Sequence, residues 1–431
     1  LLKTNFREYS NKNINIIPFN NGILDLNNNV LSPFSPELKF TSKLNIDYNP
    51  EAKMDLNFVD WLLFISNSNE KFLDVLRSFL FLTLTRNNKL QVALYLWGPA
   101  GTGKSTLEKL MVSIVSREGA VISDLKRLKS NFESSKLVDK NLLLLSDIDD
   151  SRADVNKLNL IISGDLISAE RKFEQPFEFA PTCLLMISSN HIWQPTDSSS
   201  GIMRRIVYLN FNNIPDSRDP ELFYLDFMGK PQGKLSKSLP GFINWILSNP
   251  INKLNLFTKD INLLNDELSP SVTKDTNPLL SWASDSLIYC EDSYAFVGTK
   301  RSPKSTHLFP NYYEYCIEHR FTPMSYHKFS YSLIDICINQ FNWKGVYRKE
   351  LSQGVVITNI NINSDPGVKN TTPNTKNNIL DYSYFKGFFD GDLGKPLSKF
   401  KGLRFLPYIK KKNKKIASGI IRSTKQGKNK N

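Results

Sequence analysis

Hydrophobic residues change their spacing several times along this chain, and the changes mark its parts. Residues 14–50 alternate short apolar runs with turn residues: Ile16-Ile17-Pro18-Phe19, then Asn20-Asn21-Gly22 leading into Ile23-Leu24-Asp25-Leu26, then Pro33-Phe34-Ser35-Pro36. That pattern predicts short strands and turns. From Leu56 to Thr85 the period becomes helical, with Phe58, Trp61, Leu62 and Ile65 followed by Phe72, Val75, Leu76, Phe79 and Leu80. Around Lys104 the order is strand, loop, helix. Between Asn141 and Phe211, apolar strands alternate with helical stretches and a hairpin, which predicts a parallel α/β sheet. After Pro215 the spacing is helical again through Leu239–Leu247. Two helices and a strand pair follow between Leu308 and Ile362, and the Asn/Thr/Gly-rich residues 363–395 read as a linker. The implied organisation is an N-terminal α+β region (strands and turns over 1–57, helices over 58–90), an α/β core over 91–215, a helical segment over 216–300, a small domain over 301–364, and a linker and tail over 365–431.

Composition narrows the class. A chain of 431 residues with 40% apolar and 12% aromatic residues supports about three packed domains. Cys183, Cys290, Cys316 and Cys337 are scattered, with no CxxC and no His/Cys cluster, so they read as reduced core residues and not as disulfides or metal ligands. His307, His319 and His327 read as structural or surface residues. No apolar run reaches the ~20 residues a membrane span needs, and Phe72–Leu84 is broken by Asp74 and Arg77. Of the 55 Lys and Arg, 13 fall between Lys395 and Asn431, where there is no Asp or Glu; the remaining 42 balance the 42 acidic residues. The +13 excess is therefore one polycationic tail, suited to salt-sensitive pairing with phosphates or simply to a solvated end. A start at Leu1-Leu2 makes the chain an expected piece of a longer polypeptide. Abundant Asn, Lys and Ile point to an AT-rich genome: an intracellular protein of a plastid or mitochondrion, or one encoded by a phage or plasmid and made in a host cytoplasm.

The chemistry centres on Gly98-Pro99-Ala100-Gly101-Thr102-Gly103-Lys104-Ser105-Thr106, spaced G-x-x-x-x-G-K-[ST] between the strand-like Leu94–Trp97 and a helical pattern. Glycines let backbone N–H groups turn inward on a polyphosphate. Lys104 would reach the β- and γ-phosphates, Ser105 would ligate Mg²⁺, and the following helix presents its N-terminus to the anion. ATP and Mg²⁺ are the expected ligands.

Further elements follow in order. Leu142–Leu145 with Ser146-Asp147-Ile148-Asp149-Asp150 reads as a buried strand that carries acids to its carboxyl end. Asp147 is the candidate Mg²⁺ ligand, and Asp149 or Asp150 the candidate orienter of water; an N-cap or turn is the plainer reading of the same acids. A strand over Cys183–Ser189 ends in Asn190, placed to position water or sense hydrolysis. Asp197-Ser198-Ser199-Ser200-Gly201 leads to Arg204-Arg205, a pair suited to an arginine finger reaching a neighbour's nucleotide.

This order, together with Ser163-Gly164-Asp165-x-x-Ser168-Ala169 and Phe177-Glu178-Phe179-x-Pro181-Thr182, resembles superfamily 3 DNA helicases of the phage and plasmid primase–helicase type, which are related to the poxvirus NTPase. Asn21–Leu26 with Ser35-Pro36 resembles the domain that precedes the motor in that family, and Leu239-Pro240-Gly241 through Trp245 the segment after it. The resemblance runs from about Ile17 to Ile362. It implies a P-loop, AAA+-like ATPase core in a hexameric ring that moves 3′ to 5′ on single-stranded DNA and separates forked DNA during replication. ATP sites would lie between subunits, and a primase would sit upstream in the same polypeptide or act in trans. By match, Lys104, Ser105 and Asp147 belong to the nucleotide site, Asn190 is the sensor, and Arg204 or Arg205 is the finger in trans. Ser168–Phe173 matches a hairpin that carries basic residues to DNA, which makes Arg171 and Lys172 DNA contacts. Two positions depart from the pattern: Asp147 stands where the family often has Glu, and Asn159 where it usually has Lys.

Residues Leu308–Ile362 resemble a winged helix. One amphipathic helix begins at Leu308, another follows Ser325 with Phe329, Tyr331, Leu333 and Ile336, and Lys344, Arg348 and Lys349 precede the strand-like Val355-Val356-Ile357. Lys344, Arg348 and Lys349 are the candidate duplex contacts; a small domain that buries its own aromatics is the alternative. Three other functions share parts of this pattern. A DNA-stimulated AAA+ loader would hydrolyse ATP without unwinding. A P-loop kinase would have no use for the Asp197–Arg205 loop or the basic tail. A non-catalytic DNA-binding relic would fit Asn159 and the shortened acid but not the intact loop.

Overall fold

A computed structural model describes residues 15–38, 40–146, 155–193, 201–248, 254–258, 261–269, 277–319, 321, 323–339, 341–363, 380 and 382–389. The chain forms two compact units, Leu1–Leu264 with Asn377–Asn431, and Asn265–Lys376.

The first unit opens with three short antiparallel strands, β1 (Ile16–Phe19), β2 (Gly22–Asp25) and β3 (Val30–Ser32), in the order β1-β2-β3. Two helices follow. Helix α1 (Leu56–Ser66) starts where the Asp55 carboxylate accepts from Phe58 N–H, and α2 (Glu70–Thr85) where Asn69 accepts from Phe72 N–H. Each stops at a residue in the left-handed conformation, Asn67 and Arg86.

Five parallel strands make the central sheet: β4 (Ala93–Trp97), β5 (Ala120–Ser123), β6 (Leu142–Ser146), β9 (Leu184–Ser189) and β10 (Ile206–Asn210), in the order β10-β4-β9-β6-β5. The interior strands are near-continuous apolar runs because helices cover both faces of such a sheet; Leu94, Tyr95, Leu96, Leu142, Leu143 and Met186 are all buried. Helix α3 (Lys104–Gly119) joins β4 to β5, and α4 (Val155–Ser163) leads to a hairpin of β7 (Ile167–Ala169) and β8 (Phe177–Phe179) before β9. The parallel α/β expectation for Asn141–Phe211 holds.

A short antiparallel pair, β11 (Tyr224–Leu225) and β12 (Pro231–Gln232), precedes helix α5 (Leu239–Leu247), which ties distant parts of the unit together. Asn244 Nδ2 donates to the carbonyls of Asn49, Pro50 and Ala52 at 2.8, 3.1 and 2.8 Å. Arg77 on α2 is buried, donating to the Trp245 carbonyl and to Ser248 Oγ, both at 2.5 Å, with its guanidinium over the rings of Trp245 and Phe388. Residues 380–389 correct the reading of 363–395 as linker throughout. Leu380 N–H donates to the Ser68 carbonyl and Met54 N–H to the Phe388 carbonyl, each at 2.9 Å. Phe385 is fully buried, and the Tyr384 hydroxyl donates to Asp74. Burial, then the Asp74 charge, pushes the Tyr384 phenol pKa up. An Asn-rich composition hid the three aromatic anchors of this segment.

The second unit contains α6 (Pro278–Ser286), β13 (Leu287–Phe296), α7 (Leu308–Glu318), α8 (Tyr326–Asn339), β14 (Arg348–Leu351) and β15 (Gly354–Ile362), with the antiparallel sheet ordered β13-β15-β14. It starts N-terminal of residue 301, where the sequence pattern places the small domain, and so gains α6 and β13. Trp282, Phe309, Tyr312, Phe329, Leu333 and Ile357 form its core, and the Trp282 indole donates to Asn311 Oδ1 at 2.6 Å. Tyr331 is 65% exposed and lies outside that core. Cys183, Cys316 and Cys337 are buried free thiols, with Cys183 and Cys337 pushed up to about 12 by burial; Cys290 is exposed, contrary to its reading as a core residue. Among the described residues no helix is long and apolar enough to cross a membrane.

Two stability tests follow from these contacts. A Cβ at Gly98 (φ +144°) would lie 2.0 Å from the Phe211 carbonyl oxygen, whereas one at Gly101 (φ +85°) meets nothing within 4 Å. Gly98→Ala is expected to cost ~3 kcal/mol or more in denaturant unfolding, and Gly101→Ala only the left-handed penalty of about 1–2 kcal/mol. Tyr384→Phe, which strips a donor from buried Asp74, is expected to lower stability by about 1–2 kcal/mol, read as a shifted urea midpoint.

Candidate nucleotide-binding site

Strand β4 ends at Trp97 and α3 begins at Lys104, so the intervening loop lies at the carboxyl end of the sheet, where open α/β folds bind ligands. The three glycines of the motif adopt positive φ: Gly98 +144°, Gly101 +85° and Gly103 +101°. Gly103 caps α3 with no side chain bonded to the first turn, leaving its N–H groups available to an anion. A Cβ at Gly103 would stand 2.9 Å from Ile65 Cγ2, so α1 packs directly on the loop. Phe211 N–H donates to the Trp97 carbonyl at 2.8 Å, and Asn213 Nδ2 to the Phe64 carbonyl at 2.6 Å, tying the exit of β10 to the loop's base and to α1.

Lys104 is 6% exposed, and its ammonium donates to the Gly98 carbonyl (2.7 Å), the Pro99 carbonyl (2.8 Å) and Asn190 Oδ1 (3.1 Å). Thr102 Oγ1 donates to the Pro99 carbonyl at 3.0 Å. The structure thus brings together two predicted site residues, Lys104 and Asn190, from the starts of α3 and the end of β9. Ser105 is exposed in the first turn of α3. Glycines in these conformations, an open helix start and an anchored cation fit a polyphosphate. Strand β6 ends at Ser146, paired with Ser188 of β9; Asp147, Asp149 and Asp150 lie outside the described residues, as do Asp197–Ser200. Ser105 is the described residue that the motif would assign to Mg²⁺, and no cluster of His, Cys, Asp and Glu with metal-binding spacing occurs among the described residues.

Arg204 and Arg205 close a short 3₁₀ turn, Met203–Arg205, just before β10. Because β10 runs parallel to β4 with Ile206 opposite Ala93, both arginines sit at the amino-terminal edge of the sheet. The glycine loop of this chain is a five-residue strand away, about 16 Å at ~3.3 Å per residue. Arg205 Nη1 donates to the Asn159 carbonyl at 3.3 Å, while Arg204 is exposed.

Other predicted contacts are surface features. At the β7–β8 turn Arg171 lies over the Phe177 ring and 3.6 Å from Glu174, Lys172 is exposed, and Phe173 (φ +65°) projects fully into solvent. In the second unit Lys344 and Lys349 are exposed. Arg348 pairs with Glu350 at 2.9 Å, lies over the Tyr331 ring and lines a cavity of about 150 Å³ with Tyr326, His327 and Tyr331. Sequence reasoning missed Trp61, Ile65 and Phe211 as neighbours of the loop. Their helical or strand spacing was visible, but the face they turn to the loop is a tertiary property.

Residues 6–67 match the family model described as D5 N terminal like, and residues 96–205 match a family model described as a family of unknown function, DUF5906. Among solved structures, the A form apo structure of the NrS-1 C terminal region (305–718) is 19% identical over 57% of this chain and 58% of that chain, with a TM-score of 0.40. An apo structure of the same region is 15% identical over 74% of this chain and 78% of that chain, with a TM-score of 0.43.

Proposed function

We propose that this chain is the motor part of an ATP-dependent DNA helicase of the superfamily 3 type, the helicase half of a primase–helicase. The observation that carries the reading is the Lys104 ammonium, held beside Asn190 at the open end of a parallel five-strand sheet. Loop N–H groups and Lys104 would bind the triphosphate, Ser105 with Asp147 would hold Mg²⁺, and Asn190 would orient water near the γ-phosphate. Mg²⁺ would supply charge neutralisation of the phosphate oxygens. Asp149 or Asp150 remains the proposed base.

Three further observations support DNA as the partner. The β7–β8 turn offers Lys172 and the free face of Phe173, a charge-plus-stacking pair suited to single strands. The second unit has the order helix, strand, helix, helix, strand, strand, which supports its reading as a winged helix with Lys344, Arg348 and Lys349 toward duplex DNA. The match over residues 6–67 falls on the stretch that resembles the domain preceding the motor in superfamily 3 helicases.

The deciding experiment is ATP hydrolysis with and without single-stranded DNA, beside Lys104→Ala. Stimulation by DNA, and loss of about a hundredfold or more of turnover in the variant, are the expected results, followed by unwinding of a fork. Turnover indifferent to DNA overturns the motor reading. DNA-stimulated turnover without unwinding leaves the loader ATPase in its place.

Placement of the arginines yields a second test. Arg204→Ala is expected to abolish turnover while ATPγS binding persists, and mixing it with Lys104→Ala subunits should restore part of the activity, since each supplies what the other lacks. No recovery on mixing, or normal turnover in the single variant, refutes a finger acting across a homo-oligomeric ring.

A further inference from the structure

Tyr331 on α8 is an aromatic ring with no part in the core of the second unit, and solvent reaches 65% of it. It is nonetheless held: the Arg348 guanidinium of β14 lies 5.8 Å from its centroid, and Glu350 anchors that guanidinium at 2.9 Å. The two side chains line an open cleft of about 150 Å³ together with Tyr326 and His327. Tyr326 is 38% exposed, and its ring is set edge-on to Phe309 at 5.2 Å and 85°. Apolar lining comes from Val297 and Val355, joined by the Val297 N–H to Val355 carbonyl bond at 2.8 Å.

A cavity of about 150 Å³ has the size that holds one benzene ring. This one is not apolar throughout: His327, Ser330 and Arg348 also line it, so it suits a flat ring with a polar edge. Tyrosine rings and an arginine plane are the groups on which nucleobases stack. His327 and Lys328 are exposed one helical turn before Tyr331, on the same side of α8, where they can meet phosphates. A base within a duplex is stacked and paired and cannot enter a recess, whereas an unpaired or extruded base can.

We propose that the cleft between α8 and β14 binds one unpaired nucleobase of a DNA strand, stacked against Tyr331 and Arg348. The inference rests on the reading of DNA as the partner and narrows it: Arg348 serves an unpaired base beside whatever duplex Lys344 and Lys349 hold.

The test is photocrosslinking of the whole chain to an oligothymidylate carrying one 5-iododeoxyuridine, followed by tryptic mapping. Cleavage after Lys328 separates Tyr326 from Tyr331. An adduct on either tyrosine in the wild-type chain is the expected result, and the mononucleotide 5-iododeoxyuridine monophosphate should give it only at far higher concentration. Tyr331→Ala is expected to weaken the single strand about fivefold or more, as loss of one stacked base does, with duplex affinity within twofold of wild type; Tyr331→Phe, which keeps the ring, should bind like wild type. A strand that crosslinks at Phe173 but at neither tyrosine overturns the cleft and leaves DNA as the partner. Equal weakening of strand and duplex in Tyr331→Ala overturns it as well, and so does a mononucleotide adduct that the strand cannot displace. A wild-type chain that binds neither strand nor duplex defeats the DNA reading itself.

Discussion

An ammonium taken out of water must be surrounded by oxygens, and the core of this chain is arranged around that need at Lys104. Two of its partners are carbonyls at the start of its own loop, which face it because Gly98 holds a φ closed to other residues. Another, Asn190, lies 86 residues further along the chain, just after strand β9. That strand lies beside β4 because the sheet is parallel and ordered β10-β4-β9-β6-β5. Register does the rest: Trp97 sits opposite Ser189, so the residues after each strand emerge together. The local motif therefore supplies the lysine and two of its carbonyl partners, and the topology supplies Asn190.

The same loop is held from outside by elements that carry no motif. Ile65 abuts Gly103, the Phe211 carbonyl abuts Gly98, and Asn213 bridges back to α1. Helix α2 then anchors α5 and the returning segment 382–389 through Arg77, Asp74 and Tyr384. Burial lowers the Arg77 pKa, an effect opposed by Tyr384 and Asp74. The guanidinium is paid for by two hydrogen bonds and two aromatic faces, the arrangement a buried cation requires. Gly98 and Gly103 of the motif are thus packing residues, and their replacement acts on folding.

What the sequence made legible follows from which forces are local. Strands β6 and β9 stood out because burial on both faces makes them unbroken apolar runs, and the loop because its glycines and lysine are contiguous. Strand β13 did not: its positions from Ile288 to Tyr294 are mostly exposed, and a bulge between Tyr289 and Tyr294 breaks its alternation. Residues 380–389 were hidden because three aromatic anchors among polar neighbours set no period, and their partners Asp74, Trp245 and Met54 are more than 130 residues away in sequence. Trp61 read correctly as a buried helical residue; its orientation toward Gly103 depends on how α1 docks, which no spacing encodes.

Strand polarity imposes one last constraint. In a parallel sheet every strand delivers its carboxyl end to the same edge, so residues that precede a strand are carried to the opposite one. Arg204 and Arg205 precede β10, and Lys104 follows β4, its hydrogen-bonded neighbour. An arginine side chain spans roughly 6–7 Å, less than half the length of the strand that separates them. A role for either arginine in hydrolysis therefore requires a second subunit whose amino-terminal sheet edge meets this subunit's loop. Arg205 is partly committed to the Asn159 carbonyl, whereas Arg204 is exposed. Of the two, Arg204 has the freedom that reaching a neighbour demands.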